Sequence, residues 1–227
     1  MDKLSHLGKV LVIAPHPDDE ILGCGGTMAR LVEEGNDVTV AVVTTGQAPA
    51  FPPEMVAQVR SELARAHALL GLKGTRFLDL PAAALDQVPA AELNAAIGAL
   101  VQDVQPDTLF LPFVGDIHGD HQLVFLGAMV AARPRHARVP RRIYAYETLS
   151  ETNWYAPGTT PAFIPNVYID ISAMLERKLE AFCCFESQVK AFPDERSPEA
   201  IRALALMRGA TVFRPAAEAF MLVRQID

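Results

Sequence analysis

Two short segments of the sequence place histidines beside acidic residues. The first is the run HPDDE at residues 16–20, and the second, far downstream, is the run HGDH at residues 118–121. Neutral imidazole and carboxylate groups suit Zn²⁺, and a site with three protein ligands leaves a fourth position open for water. The chain has only three cysteines and no Cys-x-x-Cys pair that would close a structural zinc site. If the two segments meet in the fold, they predict a catalytic metal site.

Both segments follow short apolar runs, at residues 9–13 and 108–113, that are typical of buried strands. In open parallel sheets, ligands bind at the carboxyl ends of the strands. We therefore expect both segments at the same edge of one sheet. Prolines on both sides of His16 restrict the backbone, so the first segment should form a stiff loop.

The remaining pattern alternates strands with helices, which predicts βαβ units, a parallel sheet and right-handed crossovers. We predict one α/β domain over residues 1–227. Ser172 and Ser197 are expected to cap the last two helices. The further predicted strands are 38–44, 76–80, 143–147, 167–171 and 220–224, and the predicted helices are 27–34 (after the glycines at 23, 25 and 26), 54–70, 91–104, 122–132, 172–187 and one from 197.

Composition excludes several classes of protein. The chain has 227 residues, is 50% hydrophobic and carries a formal net charge of −7. This charge argues against a protein that binds a nucleic-acid backbone or an anionic membrane. No apolar run approaches the ~20 residues that cross a bilayer, and no signal peptide precedes the first strand. We expect a cytoplasmic protein with reduced thiols, in which the pair at 183–184 is part of the core.

One basic cluster departs from this acidic composition. We interpret it as a solvated connection between a helix and a strand; the alternative is a contact with an anion or another subunit. Its members are Arg133, Arg135, His136, Arg138, Arg141 and Arg142.

The two segments, with the run GCGGT at 23–27, resemble the LmbE-like (PIG-L) family of zinc-dependent N-deacetylases. The family includes enzymes that deacetylate N-acetylglucosamine conjugates. Later features are similar too, at residues 146–148, 166–170, 187–188 and 217–220, so the resemblance spans almost the whole chain. It implies a Rossmann-like, mostly parallel sheet with helices on both faces.

The resemblance also implies roles for individual residues. His16, Asp19 and His121 match the metal ligands, for zinc or another divalent ion. Asp18 matches the general base, and His118 matches the group that stabilises or protonates the reacting atoms.

Two further residues match the family with alternatives left open. Asp120 is expected to orient His118, as carboxylates commonly do for catalytic imidazoles. Arg60 matches an arginine directed at substrate, and the alternative is an exposed helix arginine. Some relatives carry a tyrosine just before the second segment; here residues 115–117 are Gly-Asp-Ile.

The implied reaction is hydrolysis of an acetyl group from an N-acetylglucosamine-type sugar or conjugate. The loops at 46–53, 81–89 and 148–165 are expected to set specificity. One rival is a 2-His-1-carboxylate Fe(II) oxygenase, since that ligand set also binds iron; a base at Asp18 favours hydrolysis. Another is a nucleotide- or sugar-binding module in which Gly23–Gly26 cradles a phosphate, although this run lacks the GxGxxG spacing and a Walker lysine. Oligomeric state is left open.

Overall fold

Seven strands form one sheet within the residues that the computed structural model describes, which are 3–135, 138–154, 156 and 159–227. The strand order in the sheet is β3-β2-β1-β4-β5-β7-β6. The strands are β1 (Val10–Ala14), β2 (Val38–Thr45), β3 (Thr75–Pro81), β4 (Thr108–Pro112), β5 (Arg142–Tyr146), β6 (Val167–Asp170) and β7 (Ala217–Gln225).

The sheet is mostly parallel, as predicted. Strand β1 pairs in parallel with β2 on one side and with β4 on the other, and β5 continues the parallel order beyond β4. Strand β7 is antiparallel to both β5 and β6. The chain therefore changes direction across the sheet between β1 and β4, which is the topological switch point where α/β sheets bind ligands.

Helices cover both faces of the sheet, which confirms the predicted architecture. In β1, Val10 and Val12 pack in a core with α1, α2, α5 and α6, whereas Leu11 and Ile13 pack in a second core with α3 and α4. This alternation follows from the two-residue period of a strand. The helices are α1 (Asp19–Glu33), α2 (Pro53–Leu70), α3 (Ala90–Val104), α4 (Gly119–Ala131), α5 (Leu175–Cys183) and α6 (Pro198–Thr211).

Helix α1 begins at Asp19, well before the predicted start at residue 27, so the glycine run lies inside a helix. A Cβ atom at Gly23 would lie 2.3 Å from the Tyr146 ring, and one at Gly26 would lie 2.7 Å from Ile171 Cδ1. The glycines allow the sheet and α1 to approach closely. They form no loop that could cradle a phosphate.

Two other helix boundaries differ from prediction. Helix α4 begins at Gly119, so the second segment lies in its first turn. Helix α5 begins at Leu175 and ends at Cys183, and Ser172 does not cap it because its hydroxyl donates to Asp170 Oδ1 at 2.6 Å. The cap at Ser197 is confirmed, since its Oγ accepts from the Ala200 amide at 3.2 Å.

The remaining expectations concern side chains outside the site. All three cysteines lie among the described residues and are free thiols, and Cys183 is exposed rather than buried in the core. In the basic cluster, Arg142 donates to the His6 carbonyl at 2.8 Å, while His136 lies outside the described residues. Over the described ranges, no helix is both long and apolar enough to cross a bilayer.

Candidate active site

The two segments meet where β1 and β4 end, as the parallel pairing of these strands requires. His16 and Asp18 lie in the turn after β1, and Asp19 begins α1. His118 is the N-cap of α4, and His121 lies in its first turn. The expectation of one shared sheet edge is thus confirmed.

The structure brings together the three residues that match metal ligands. Asp19 Oδ2 lies 3.2 Å from His16 Nδ1 and 3.1 Å from His121 Nε2. The ligand atoms of these three residues all lie within 4.8 Å of one another. Asp19 and His121 are buried, whereas the side chain of His16 is 22% exposed. One side of the group is therefore accessible from outside.

A carboxylate binds the other ring nitrogen of each histidine. His16 Nε2 lies 3.0 Å from Asp120 Oδ2, and His121 Nδ1 lies 2.8 Å from Asp116 Oδ2. Metal-binding histidines commonly donate their second N–H to a carboxylate, which fixes the tautomer and the ring orientation. With both rings in that tautomer, the lone pairs of His16 Nδ1 and His121 Nε2 would be available to a metal ion beside Asp19.

The residues fit a metal ion, because buried polar atoms here have no hydrogen-bond partner. In the described part of the chain, Asp19 Oδ1 and His121 Nε2 are both buried and unpaired. Although His121 Nε2 is 3.1 Å from Asp19 Oδ2, the two groups are not aligned for a hydrogen bond. Leaving such atoms unpaired is costly. A cation bound by two imidazoles and a carboxylate satisfies both atoms.

The electrostatics of the group also favour a bound cation. Burial alone would lower the pKa of His16, but hydrogen bonds to Asp120 and Asp19 outweigh it and raise the pKa to about 9. Burial is likewise outweighed at His121, where Asp19 and Asp116 raise the pKa to about 10. The carboxylates thus stabilise positive charge at both rings, which a metal ion could supply in place of protons.

The Asp18 side chain binds Arg196 rather than the ligand group, although Asp18 directly precedes Asp19. Its backbone has a φ of 107°, which is strained for a residue with a side chain. Arg196 Nη1 donates to Asp18 Oδ2 at 2.7 Å. Burial raises the pKa of Asp18 to about 8, against the lowering effect of Arg196. The strained φ lets two adjacent carboxylates face different partners.

His118 lies against the ligand group without joining it. Its ring centroid is 4.6 Å from that of His16, and its Nδ1 accepts a hydrogen bond from the Asp120 amide at 3.1 Å. In the neutral ring the proton is therefore on Nε2. Burial lowers the pKa of His118, and the nearby His16 lowers it further.

The expected contact between the Asp120 carboxylate and the His118 ring is wrong. The Asp120 carboxylate instead binds His16 Nε2 and accepts from the Ala83 amide at 2.7 Å and the Leu85 amide at 3.3 Å. The helical start of α4 accounts for the difference, because it directs the backbone amide of Asp120 at the N-cap ring of His118. Asp120 therefore connects His16 to the loop at 81–89.

A cavity of about 270 Å³ opens beside these residues. His16, Asp18 and His118 line its inner end, and each of the three loops expected to set specificity contributes at least one lining residue. Arg60 lines it too, but its guanidinium donates to Asp79 and lies 4.5 Å from the centre of the Phe77 ring. A substrate-binding role for Arg60 stays a prediction.

Sequence reasoning missed the functional positions of three residues. Asp116 and Thr152 extend the contacts of His121, since Thr152 Oγ1 donates to Asp116 Oδ1 at 2.6 Å. Asp116 lies just before the second segment, at the same strand end, so the sequence could have indicated that it belongs to the site. Arg196 lies 178 residues from its partner Asp18, and no local pattern joins them.

Residues 11–132 of the chain match the GlcNAc-PI de-N-acetylase (PIG-L) family, which is more than half of its length. The chain belongs to this family. It is 30% identical over 196 residues to a probable N-acetyl-alpha-D-glucosaminyl L-malate deacetylase 2 from Bacillus cereus, covering 82% of this chain and 86% of the relative. It is also 30% identical over 200 residues to a diacetylchitobiose deacetylase from Thermococcus kodakarensis, covering 82% of this chain and 71% of the relative.

A solved structure shows that the fold alone does not fix the reaction. GalB, the 4-carboxy-2-hydroxymuconate hydratase from Pseudomonas putida, superposes with a TM-score of 0.77 at 20% identity, covering 97% of this chain and 98% of GalB. At that identity the likeness concerns the fold only. The reaction must therefore be argued from the site residues and from the more similar family members.

Proposed function

We propose that this protein is a metal-dependent deacetylase that hydrolyses the N-acetyl group of an N-acetylglucosamine-type sugar or conjugate. One observation carries the proposal: Asp19 Oδ2 lies 3.2 Å from His16 Nδ1 and 3.1 Å from His121 Nε2, while the neighbouring Asp18 lines the cavity. The deacetylases among the relatives support the choice of an N-acetylated sugar.

The proposed metal ligands are His16 Nδ1, Asp19 and His121 Nε2. Zinc is the proposed ion, because two imidazoles and one carboxylate leave a fourth position open in its tetrahedral geometry. When bound, zinc lowers the pKa of a water molecule and polarises the acetyl carbonyl. Asp120 and Asp116 keep the two histidine rings oriented.

Asp18 is the proposed general base. Its carboxylate lines the cavity next to the ligands, and Arg196 fixes one of its two oxygens. A base is most effective when its pKa lies near the working pH, and burial raises the pKa of Asp18 to about 8. The second oxygen is left to accept the proton of the attacking water.

His118 is the proposed donor to the developing oxyanion. The Asp120 amide fixes Nδ1 of His118 as an acceptor, which leaves the one proton of the neutral ring on Nε2, and burial favours this neutral form because it lowers the pKa of the ring. The ring lines the cavity, where its Nε2–H would stabilise the oxyanion that forms at the acetyl carbonyl. An amine leaves poorly unless it is protonated, and Asp18, once it holds the proton of the attacking water, would deliver that proton to the departing nitrogen.

The rival functions have less support. A phosphate-binding role for residues 23–26 conflicts with their position inside the buried helix α1. An iron oxygenase would use the same ligands, but it gives no role to a base at Asp18. The cytoplasmic location stays a prediction.

Metal analysis and an acetate-release assay test the proposal together. The purified protein should hold about one zinc ion per chain, since the three ligands form one group. It should release acetate and free amine from N-acetylglucosamine or diacetylchitobiose, lose this activity to a strong chelator and regain it with Zn²⁺. A protein that takes up no metal when zinc is supplied would contradict the proposal, as would a zinc-loaded protein that releases no amine from any N-acetylated sugar. A His6→Ala variant, at an exposed position outside the ligand group, is the matched control.

A further inference from the structure

We propose that the substrate carries a neutral, apolar group attached to its N-acylated sugar, and that the cavity disfavours an acidic group at that position. This inference rests on the proposed function and specifies its substrate class. The cavity beside the ligand group supplies the evidence, through its apolar wall and through the pairing of its charges.

The wall of the cavity on the α2 side is apolar. It is formed by the loop after β2, by the first turns of α2 and by β3, and its side chains are Phe51, Met55, Val56, Val59 and Phe77. A sugar ring offers hydroxyl groups, which such a surface cannot bind by hydrogen bonds. An alkyl or aryl group can displace water from it, with a gain of about fourfold in affinity for each buried methylene.

The arginines that line the cavity already have carboxylate partners. Arg60 donates to Asp79, and Arg196 donates to Asp18. An acidic group on the substrate would have to compete with Asp79 or Asp18 for either guanidinium. The positive charge of each arginine is therefore already balanced by a carboxylate, which weakens its attraction for an acidic group on the substrate.

Glu151 adds an acidic group to the same cavity. Among the described residues, no donor makes a hydrogen bond to its side-chain carboxylate, although it lines the cavity. A carboxylate of this kind accepts hydrogen bonds from sugar hydroxyls and repels an acidic substituent. The charges and the apolar wall thus favour the same substrate, a neutral sugar with an apolar attachment.

The apolar group can be joined to the sugar in two ways, as an aglycone or as a longer N-acyl chain. Both would present the same surface to the wall, so the experiment includes one substrate of each kind. Zinc-loaded enzyme is assayed for amine release from phenyl N-acetylglucosaminide, its 4-carboxyphenyl analogue, N-hexanoylglucosamine and N-acetylglucosamine itself.

We expect the phenyl glycoside to exceed the carboxyphenyl glycoside in kcat/KM by about tenfold or more, the usual size of one charged interaction. Whichever of the phenyl glycoside and the N-hexanoyl sugar exceeds N-acetylglucosamine identifies where the apolar group is attached. Equal rates for all four substrates, or a preference for the carboxyphenyl glycoside, would overturn the inference and leave the deacetylase proposal intact. Amine release from none of them would contradict the proposed function itself.

An Asp79→Asn variant tests the charge argument directly. It frees Arg60, so kcat/KM for the carboxyphenyl glycoside should rise relative to the phenyl glycoside by about tenfold. The matched control is Glu186→Gln, which removes the partner of another α2 arginine, Arg65, at an exposed position that does not line the cavity. This control should leave the ratio unchanged. An unchanged ratio in Asp79→Asn, with thermal unfolding like that of the wild type, would overturn the charge argument.

Discussion

The turn from β1 into α1 and the turn from β4 into α4 both supply proposed metal ligands, but different contacts hold them. The first turn has a strained φ at Asp18, and side chains that are distant in sequence bind the backbone of the helix that follows it. Glu218 accepts from the Gly26 amide at 2.9 Å and the Thr27 amide at 2.7 Å, and Lys178 Nζ donates to the Leu22 carbonyl at 2.7 Å. Side chains from α5 and β7 thus bind the backbone in the middle of α1.

The second turn is held mainly by its own residues. His118 caps α4 through the Asp120 amide, and Gln122 Nε2 donates to the Asp116 carbonyl at 2.8 Å. The Asp116 side chain binds His121 at 2.8 Å. None of the described residues in this turn other than glycine has a positive φ. A regular helix start is sufficient here, because residues 118 and 121 are one helical turn apart.

The comparison teaches where strain is needed. In the first turn, a ligand and the proposed base are adjacent residues at the corner between β1 and α1, and the positive φ of Asp18 lies at this corner. The buried Lys178–Glu218 pair, at 2.6 Å, stabilises the helix that follows the strained residue. In the second turn, the proposed ligand and the proposed oxyanion donor are three residues apart, and no described residue there has a strained φ.

The largest expected effect is that of Asp19→Ala, which removes the proposed ligand that contacts a histidine of each turn. Metal affinity should fall by more than about 100-fold, because mutation of a residue that only orients a ligand already lowers affinity by up to about 100-fold. Activity should vanish at trace zinc and partly return at high zinc. Metal titration by calorimetry, beside rates at each zinc concentration, measures both effects. Full metal affinity in this variant would remove Asp19 from the ligand set.

His118→Ala should slow turnover about 10²–10³-fold, the usual cost of removing one hydrogen-bond donor to an oxyanion, and should retain metal. Metal analysis and kcat on the same preparation check this. His118→Gln serves as a control that keeps a polar side chain at the N-cap. If metal content collapses instead, His118 is a ligand, and the roles of the two histidines in the second turn must be exchanged.

Asp116→Asn tests the local support of the second turn. An amide holds the His121 ring less firmly and can favour the wrong tautomer, so metal affinity should fall about 10–100-fold. Asp86→Asn, at an exposed position, is the matched control and should bind zinc like the wild type. Equal affinities in the two variants would contradict a role for Asp116 in orienting His121.

Lys178→Met should have the smallest effect on the rate of folded enzyme and a large effect on stability. It leaves the Glu218 carboxylate buried without its partner, which costs about 3–5 kcal/mol of unfolding free energy. Denaturant unfolding measures the loss, and kcat per bound zinc measures the rate. An unfolding free energy equal to that of the wild type would show that the Lys178–Glu218 pair does not stabilise the first turn and its helix.

Much of this structure follows from the local pattern of the sequence. Apolar runs predicted the strands, and the end of α2 followed from Gly71, which has a φ of 77°. The meeting of histidines and a carboxylate was predictable because they lie in two short segments at strand ends, whereas the proposed ligand set came from the resemblance to the family. These features depend on contacts between residues that are near in sequence or on one strand pairing.

The features that were not predictable depend on distant contacts. Glycines normally end helices, but the run at 23–26 continues α1 because Tyr146 and Ile171 occupy the space of the missing side chains. The Asp120 carboxylate binds His16, a contact that depends on how the first turn packs against the second. Arg196 reaches Asp18 from a segment that no pattern connects to it.

The central claim is that His16, Asp19 and His121 bind the metal while Asp18 acts as the base, and the Asp18→Asn variant tests it most directly. An amide of the same shape cannot accept the proton of water, but it leaves the three ligands in place. Metal content and kcat should be measured on one zinc-loaded preparation beside the wild type. The account predicts about one zinc per chain and a loss of turnover of about 10²–10⁴-fold. An Asp18→Asn protein without metal, or one with metal and wild-type turnover, would contradict it.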